Sequence, residues 1–204
     1  MPSRRGRLIA IEGIDQSGKR TQTRLLANHL RATGVSCSVL NFPDYTTPVG
    51  RQIRRYLAGG DNLDFHAVHL LYAANKWEKA SEILRNLDRG RTVIINRYTS
   101  SNLAYGVAHG LHLKWLVSLE KDLPQPDIVI LLDVSPKTSF KRKERRRDVH
   151  EGNRTYLNKV RSVYRRLARR YRWKVLNGQR GSPVVHSDVW NLVSQLLGSR
   201  DRES

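Results

Sequence analysis

The run from Gly13 to Thr21, GIDQSGKRT, most constrains the fold of this chain, because an apolar run precedes it and a helical pattern follows it. The apolar run covers 8–11, and apolar residues at helical spacing begin at Leu25. A strand, a glycine-rich turn and a helix in that order bring backbone N–H groups and the positive end of a helix to one point. The spacing matches the phosphate-loop pattern G-x-x-x-x-G-K-[ST], except that Arg20 stands where a hydroxyl residue belongs. We therefore predict a phosphate-binding loop that lacks its magnesium-ligating hydroxyl.

Short apolar runs recur along the chain and alternate with longer stretches of helical spacing, of which the longest extends from His66 to Leu87. This alternation indicates βαβ units with right-handed crossovers. The runs lie at 8–11, 37–42, 92–95, 128–134 and 173–176. We predict an α/β fold with a parallel sheet of about five strands, helices on both faces, and ligands at the carboxyl ends of the strands.

Length and composition favour a single domain over residues 1–204 with one core and a frayed tail at 198–204, since 39% of the 204 residues are hydrophobic. No apolar run reaches the roughly 20 residues of a membrane span, and residues 1–7 lack the apolar segment of a signal peptide. We expect a cytoplasmic protein without a membrane partner. The single cysteine, Cys37, cannot form an internal disulfide, and its apolar surroundings indicate an inert core thiol.

The formal charge of +19 would ordinarily indicate a nucleic-acid partner. Most of the excess lies in residues 136–180, which hold 17 Lys and Arg against 3 Asp and Glu. No basic stripe with interleaved aromatics, helix-turn-helix signature or zinc-ligand spacing accompanies it, so nucleic acid is the less favoured partner. The basic residues from Arg161 to Arg172 are interpreted as a solvated helix face.

Four motifs together resemble the thymidylate kinase family of P-loop nucleoside-monophosphate kinases. They are IEGIDQSGKRTQ at 11–22, NFPDY at 41–45, HLLYAANKWE at 69–78 and NRYTSSNLAYG at 96–106. The run LPQPDIVILLDV at 123–134 is similar to the fourth strand of that family. The resemblance implies a P-loop kinase fold with a basic lid, transfer of the ATP γ-phosphate to dTMP to give dTDP, ATP as donor, Mg²⁺ as cofactor, and a homodimer.

The resemblance also implies which residues hold ATP. Backbone N–H groups of the loop would cradle the phosphates, with Lys19 as a point charge. A basic lid at about 136–155 would close over them, and the loop at 177–182 would meet the adenine. The implied ATP-binding residues are Gly13, Gln16, Ser17, Gly18, Lys19, Arg20, Thr21, Arg142, Gln179 and Arg180. The implied catalytic charges are Lys19, Arg97, Arg142, Arg145 and Arg146.

Two positions of the implied dTMP site depart from the family pattern, which has arginine where this chain has Tyr45 and Lys76. Arg97 is the candidate substitute for the phosphate contact, and Lys76 lacks the planar fork that an arginine would offer the base. Acceptance of dUMP or other pyrimidine monophosphates therefore stays open. The implied substrate-binding residues are Asp15, Phe42, Pro43, Tyr45, Arg51, Leu57, Tyr72, Lys76, Arg97, Ser101, Asn102, Tyr105 and Tyr156. Simpler roles stay open for four of them: a turn residue for Asp15, an exposed helix lysine for Lys76, a surface arginine for Arg97 and a core tyrosine for Tyr105.

The metal site is the second departure, because Asn96 replaces the aspartate of the family's Asp-Arg-Tyr motif. Together with Arg20, this change makes the site less hospitable to a divalent cation. The remaining candidate ligands are Glu12, Asp15, Asn96 and Asp133. Two interpretations follow: a kinase with an atypical magnesium site, or a catalytically weak or inactive nucleotide-binding member of the family in which Arg20 takes the metal position.

Overall fold

The computed structural model describes residues 5–142 and 154–198, and its centre is one sheet of five parallel strands. Their order across the sheet is β2-β3-β1-β4-β5. The strands are β1 Leu8–Glu12, β2 Cys37–Asn41, β3 Thr92–Asn96, β4 Ile128–Asp133 and β5 Lys174–Asn177. The predicted parallel sheet is thereby confirmed, and every strand end lies within one residue of the end of the corresponding apolar run.

Eight helices complete the described part of the chain. They are α1 Lys19–Ala32, α2 Pro48–Leu57, α3 Phe65–Asp88, α4 Thr99–Ala108, α5 Leu113–Glu120, α6 Pro136–Arg142, α7 Arg154–Arg170 and α8 Ser182–Gly198. The long helix expected from His66 to Leu87 is α3, and the side chain of Asp64 caps its start by accepting from the backbone N–H of His66.

Helices cover both faces of the sheet because successive side chains of a buried strand point to opposite sides. On one face Ile9 and Ile11 pack against α1 and α8, and on the other face Leu8 and Ala10 pack against α3. A further cluster joins Leu131 to α4 and α7. The predicted α/β architecture with two covered faces is confirmed.

This arrangement places the carboxyl ends of β1, β3 and β4 side by side, since β1 pairs with both of the others in parallel register. Glu12, Asn96 and Asp133 end these strands, so three of the predicted metal candidates lie along one edge of the sheet. The phosphate loop leaves the central strand at the same edge. The candidate site therefore lies where the topology of a parallel sheet predicts it.

The structure corrects the expectation that Cys37 is a core thiol. Cys37 is only partly buried, because β2 is an edge strand. Its thiol donates to the carbonyl oxygen of Ala27 over 3.6 Å, and partial burial raises the pKa of the thiol.

The lid, expected at about 136–155, is described only through α6 and the start of α7, so its centre and the tail beyond Gly198 lie outside the described residues. The single-domain assignment over 1–204 stays a prediction. Among the described helices, none is long and apolar enough to cross a membrane.

Candidate active site

The phosphate loop has the backbone that its glycines allow. Gly13 has φ of 144°, and a Cβ there would lie 2.6 Å from the carbonyl oxygen of Leu132. Gly18, at φ of 96°, is the N-cap of α1. Lys19 is 6% exposed, and its Nζ donates to the carbonyl oxygen of Ile14 at 2.8 Å, so the ammonium lies over the loop. The loop geometry is thus that of an anion-binding turn at a helix N-terminus.

A cavity of about 590 Å³ opens over this loop, and we call it the phosphate cavity. The predicted ATP residues that line it are Gln16, Ser17, Gly18, Lys19, Arg20, Thr21, Arg142 and Arg180. Gly13 and Gln179 do not line it: Gly13 lies beneath the loop, and Gln179 accepts from the hydroxyl of Thr138 at 2.8 Å. Gln22, Ser182 and Val185 line it without having been predicted. Gln22 directly follows Thr21 and is the last residue of the motif at 11–22, so the motif could have indicated it.

The walls of the phosphate cavity are strongly cationic. Among the described residues five positive side chains line it; of these, Arg97 is paired with the lining carboxylate Asp15, and Arg180 is paired with Asp188. Arg142 joins two loops across the cavity, donating to the carbonyl oxygens of Gln16 at 3.1 Å and of Gly178 at 2.9 Å. The five cations are Lys19, Arg20, Arg97, Arg142 and Arg180. The predicted lid arginines Arg145 and Arg146 lie outside the described residues.

A second cavity, of about 320 Å³, lies between the phosphate loop and helices α2, α3 and α4, and we call it the acceptor cavity. The predicted substrate residues that line it are Asp15, Phe42, Pro43, Tyr45, Leu57, Tyr72, Lys76, Arg97, Ser101, Asn102 and Tyr105. Asn75, Tyr98 and His109 line it in addition. The structure thus brings together side chains from five separate segments of the chain.

Two predicted substrate residues lie outside the lining of the acceptor cavity. The guanidinium of Arg51 donates to the carbonyl oxygen of Thr46 at 3.0 Å, at the exposed start of α2. The ring of Tyr156 stacks on His109 with 4.8 Å between centroids, and its hydroxyl donates to the carbonyl oxygen of Tyr105 at 3.4 Å. Tyr156 therefore supports the wall of the cavity from α7.

Asp15 and Arg97 line both cavities and form an ion pair at their junction. The hydroxyl of Tyr105 donates to the other oxygen of Asp15 at 2.8 Å. Burial by itself raises the pKa of Asp15, but the positive charges of Arg97 and Lys19 outweigh it and hold that pKa at about 2. Arg97 has φ of 61°, which is unusual for a residue with a side chain and is found at functional sites. Asp15 is thus bound across the sheet edge, where the acceptor and phosphate cavities meet.

The other two carboxylates predicted as metal ligands already have partners in the protein. Glu12 is fully buried, and it accepts hydrogen bonds from Tyr98 N at 2.7 Å, Ser101 Oγ at 2.6 Å and Tyr164 OH at 3.0 Å. Asp133 receives both Nε and Nη2 of Arg161, at 2.7 and 2.8 Å. The expectation that Arg161 belongs to a solvated helix face is therefore wrong, whereas Arg165, Arg166, Arg169, Arg170 and Arg172 are exposed as expected.

Asn96 keeps one open oxygen. Its Nδ2 donates to Asn41 Oδ1 at 3.0 Å, and its own Oδ1 is buried without a hydrogen-bond partner. Mg²⁺ is usually bound through one or two carboxylates together with substrate phosphates. Among the described residues no three His, Cys, Asp or Glu side chains gather as a metal site, and Arg20 lines the cavity in place of the loop hydroxyl. One amide oxygen among cations does not fit a magnesium ion held by the protein.

At the far end of the acceptor cavity, Lys76 is 3% exposed, so the alternative of an exposed helix lysine is wrong. Its ammonium donates to Glu120 Oε1 at 2.8 Å and to the carbonyl oxygen of Tyr72 at 2.9 Å. Burial raises the pKa of Glu120 against the lowering effect of Lys76. Sequence reasoning missed Glu120, because it lies 44 positions from its partner and belongs to none of the recognised motifs.

In sequence and in structure this chain is similar to known thymidylate kinases. The family model for thymidylate kinase matches residues 11–189. The thymidylate kinase of Schizosaccharomyces pombe is 36% identical over 197 residues, covering 94% of this chain and 93% of that protein. The human thymidylate kinase is 32% identical over 192 residues, covering 93% and 90%. The structure is similar to that of the Candida albicans thymidylate kinase, with a TM-score of 0.85, 29% identity, and coverage of 94% and 92%.

Proposed function

This chain belongs to the thymidylate kinase family and is an ATP-dependent phosphotransferase, and we propose that it phosphorylates dTMP to dTDP without a magnesium ion held by its own side chains. The observation that carries the proposal is the pairing of two cavities at Asp15 and Arg97, one cationic and built on a phosphate loop, the other of nucleotide size. We assign ATP to the phosphate cavity and dTMP to the acceptor cavity.

In the proposed reaction an oxygen of the dTMP phosphate attacks the γ-phosphorus of ATP in line, and ADP leaves. The transition state is loose, with charge spread over the transferring oxygens, so catalysis consists of positioning and electrostatic stabilisation. Arg97 lies where the phosphates of ATP and dTMP would meet, and Lys19 lies over the phosphate loop. Arg142, on α6, donates to the loop carbonyl oxygen of Gln16. Loss of one preorganised charge of this kind costs a factor on the order of 10² to 10³ in rate.

Magnesium, which the family implies, would supply charge neutralisation of the triphosphate when bound. In this chain we assign that neutralisation to the five cations of the phosphate cavity, because its carboxylate is paired and the hydroxyl of the loop pattern is an arginine. Arg20 is exposed at the start of α1, where its guanidinium can reach a phosphate oxygen in place of a metal.

The test is turnover of ATP and dTMP measured across a magnesium titration with a chelator as control. We expect product formation to persist in the chelator. The double variant Arg20→Ser, Asn96→Asp restores the usual ligands and should make turnover steeply dependent on the metal. Wild-type activity that vanishes in the chelator would contradict metal independence.

A second candidate function is a nucleotide-binding member of the family that is catalytically weak or inactive. The observation that favours it is again the phosphate cavity, in which Arg20 and Asn96 replace groups that normally ligate the metal. It predicts tight binding of dTMP and no product at any magnesium concentration. A large gain of activity in the double variant would then indicate a site disabled by those two residues.

We also propose that the protein is a homodimer that pairs through α3. Leu70, Trp77 and Leu84 are 48%, 44% and 41% exposed, and their seven-residue spacing puts these apolar side chains on one side of the helix. Light scattering after gel filtration should give twice the chain mass for the wild type and the chain mass for Leu84→Glu. A monomeric wild type at micromolar concentration would refute the proposal.

A further inference from the structure

Behind the base end of the acceptor cavity, Glu120 is the anchor of a buried polar network. Its Oε1 accepts from Lys76 Nζ at 2.8 Å and from Asn102 Nδ2 at 2.9 Å. The side chains of Lys76 and Glu120 are only 4% and 2% exposed. A charge buried to this degree is strongly destabilising without a partner, so each of the two ions depends on the other.

The contacts of Asn102 determine which way its amide points. One end lies 2.9 Å from Glu120 Oε1 and 3.2 Å from the carbonyl oxygen of His69, and both of these groups accept when the carboxylate is ionised. That end must therefore be the NH₂ group. The amide oxygen then faces His69 Nδ1 at 2.6 Å, which must carry a proton, and His69 Nε2 can accept from His109 Nδ1 at 3.0 Å. Glu120 thus sets the direction of hydrogen bonding from α5 to the cavity wall.

Two groups that Glu120 orients still have hydrogen-bonding capacity and line the acceptor cavity. An ammonium has three donors, and Lys76 uses two of them on Glu120 and Tyr72. An amide oxygen has two lone pairs, and Asn102 uses one on His69. The cavity wall therefore offers a donor from Lys76 and an acceptor from Asn102, and both side chains are held by hydrogen bonds to Glu120 Oε1.

Thymine and uracil present a carbonyl acceptor at position 4 beside a ring N–H donor, whereas cytosine presents an amino donor beside a ring nitrogen acceptor. We propose that Glu120 is a positioning residue that makes the acceptor cavity select 4-keto over 4-amino pyrimidine monophosphates, by orienting Asn102 and by holding the Lys76 ammonium in place. The inference rests on the proposed function only in taking a pyrimidine monophosphate as the occupant of this cavity. It allows dUMP as well as dTMP and disfavours dCMP.

Other charged and titratable groups near Lys76 do not replace the charge of Glu120. Asp15 is paired with Arg97 at the opposite end of the cavity, and Glu12 is bound by three donors. His69 on α3 and His109 after α4 are directed by the network itself. The remaining titratable side chains in the lining of the acceptor cavity are those of Tyr45, Tyr72, Tyr98 and Tyr105. Removal of the Glu120 carboxylate therefore leaves the Lys76 ammonium buried without a counter-charge.

The test compares Glu120→Gln, which keeps the shape and removes the charge, with Asp122→Asn, which removes an exposed carboxylate two positions away. Binding of dTMP and dCMP is measured by calorimetry without ATP, and kcat and KM are measured separately. In Glu120→Gln we expect the dTMP preference to fall by about 10- to 100-fold, through binding and KM rather than kcat. The wild type and Asp122→Asn should keep the full preference for dTMP.

If Glu120→Gln does not fold, the double variant Lys76→Met, Glu120→Gln removes both charges and leaves neither uncompensated. We expect it to fold and to bind dTMP and dCMP with similar affinity. Retention of the wild-type dTMP preference by either folded variant would overturn the inference, as would equal binding of dTMP and dCMP by the wild type. Because binding is measured without ATP, a protein that fails to turn over still decides this question.

Discussion

Replacement of Asp15 by asparagine tests the electrostatics at the junction of the two cavities. The folded protein holds the pKa of Asp15 at about 2, against an ordinary value of 3.8, because the charges of Arg97 and Lys19 outweigh the effect of burial. At about 1.4 kcal/mol per unit of pKa, this difference corresponds to roughly 2 to 3 kcal/mol of folding free energy at pH 7. The side chains of Arg97 and Asp15 are 18% and 17% exposed, so solvent screens the pair only partly.

The sign of the pH dependence follows from the lowered pKa. The stabilisation is complete above the unfolded value of 3.8 and is lost as pH falls through the folded value of about 2. Urea unfolding, followed by the fluorescence of the four tryptophans, gives the free energies of the wild type and Asp15→Asn. Their difference should be roughly 2 to 3 kcal/mol at pH 7 and about half of that at pH 3.

Asp122→Asn is the matched control, since that carboxylate is exposed and should show no such difference. Two results would refute the reasoning: an Asp15→Asn protein as stable as the wild type at pH 7, or a difference of the same size at pH 3 and pH 7. The second result would mean that asparagine disturbs the packing of the site and that the charge of Asp15 is not what stabilises it.

Three further variants probe the loop, the strand edge and the reaction. Gly13→Ala should lower the free energy of unfolding by roughly 1 to 3 kcal/mol, measured in urea, because a Cβ would lie 2.6 Å from the carbonyl oxygen of Leu132 in a left-handed backbone. Arg161→Met should cost at most about 1 kcal/mol in the same measurement, because its partly exposed bond to Asp133 is screened, and a larger loss would assign the pair a structural role. Lys19→Met should lower kcat on the order of 10²- to 10³-fold, and unchanged turnover would remove Lys19 from the reaction.

Several features of this protein follow from local sequence alone. A glycine at position 13 and a lysine at 19, between an apolar run and a helical pattern, predict an anion-binding turn at a helix N-terminus wherever such a segment folds. Strand and helix alternation predicts the parallel sheet and the edge at which ligands bind, because βαβ connections have one hand. The resemblance to the thymidylate kinase family, which four motifs carry, implied eleven of the fourteen residues that line the acceptor cavity.

Only the tertiary structure decides which charged groups pair. Arg161 binds Asp133 and Lys76 binds Glu120 across 28 and 44 positions of sequence, and no periodicity or spacing reports such contacts. The same folding covers Glu12 with three donors and joins Asp15 to Arg97, so residues that resemble metal ligands in the sequence are already occupied. Local sequence pattern determines which segments form strands and helices and which of their faces are apolar, because these features depend on residues close in sequence. The partner of a side-chain charge depends on which distant elements pack together.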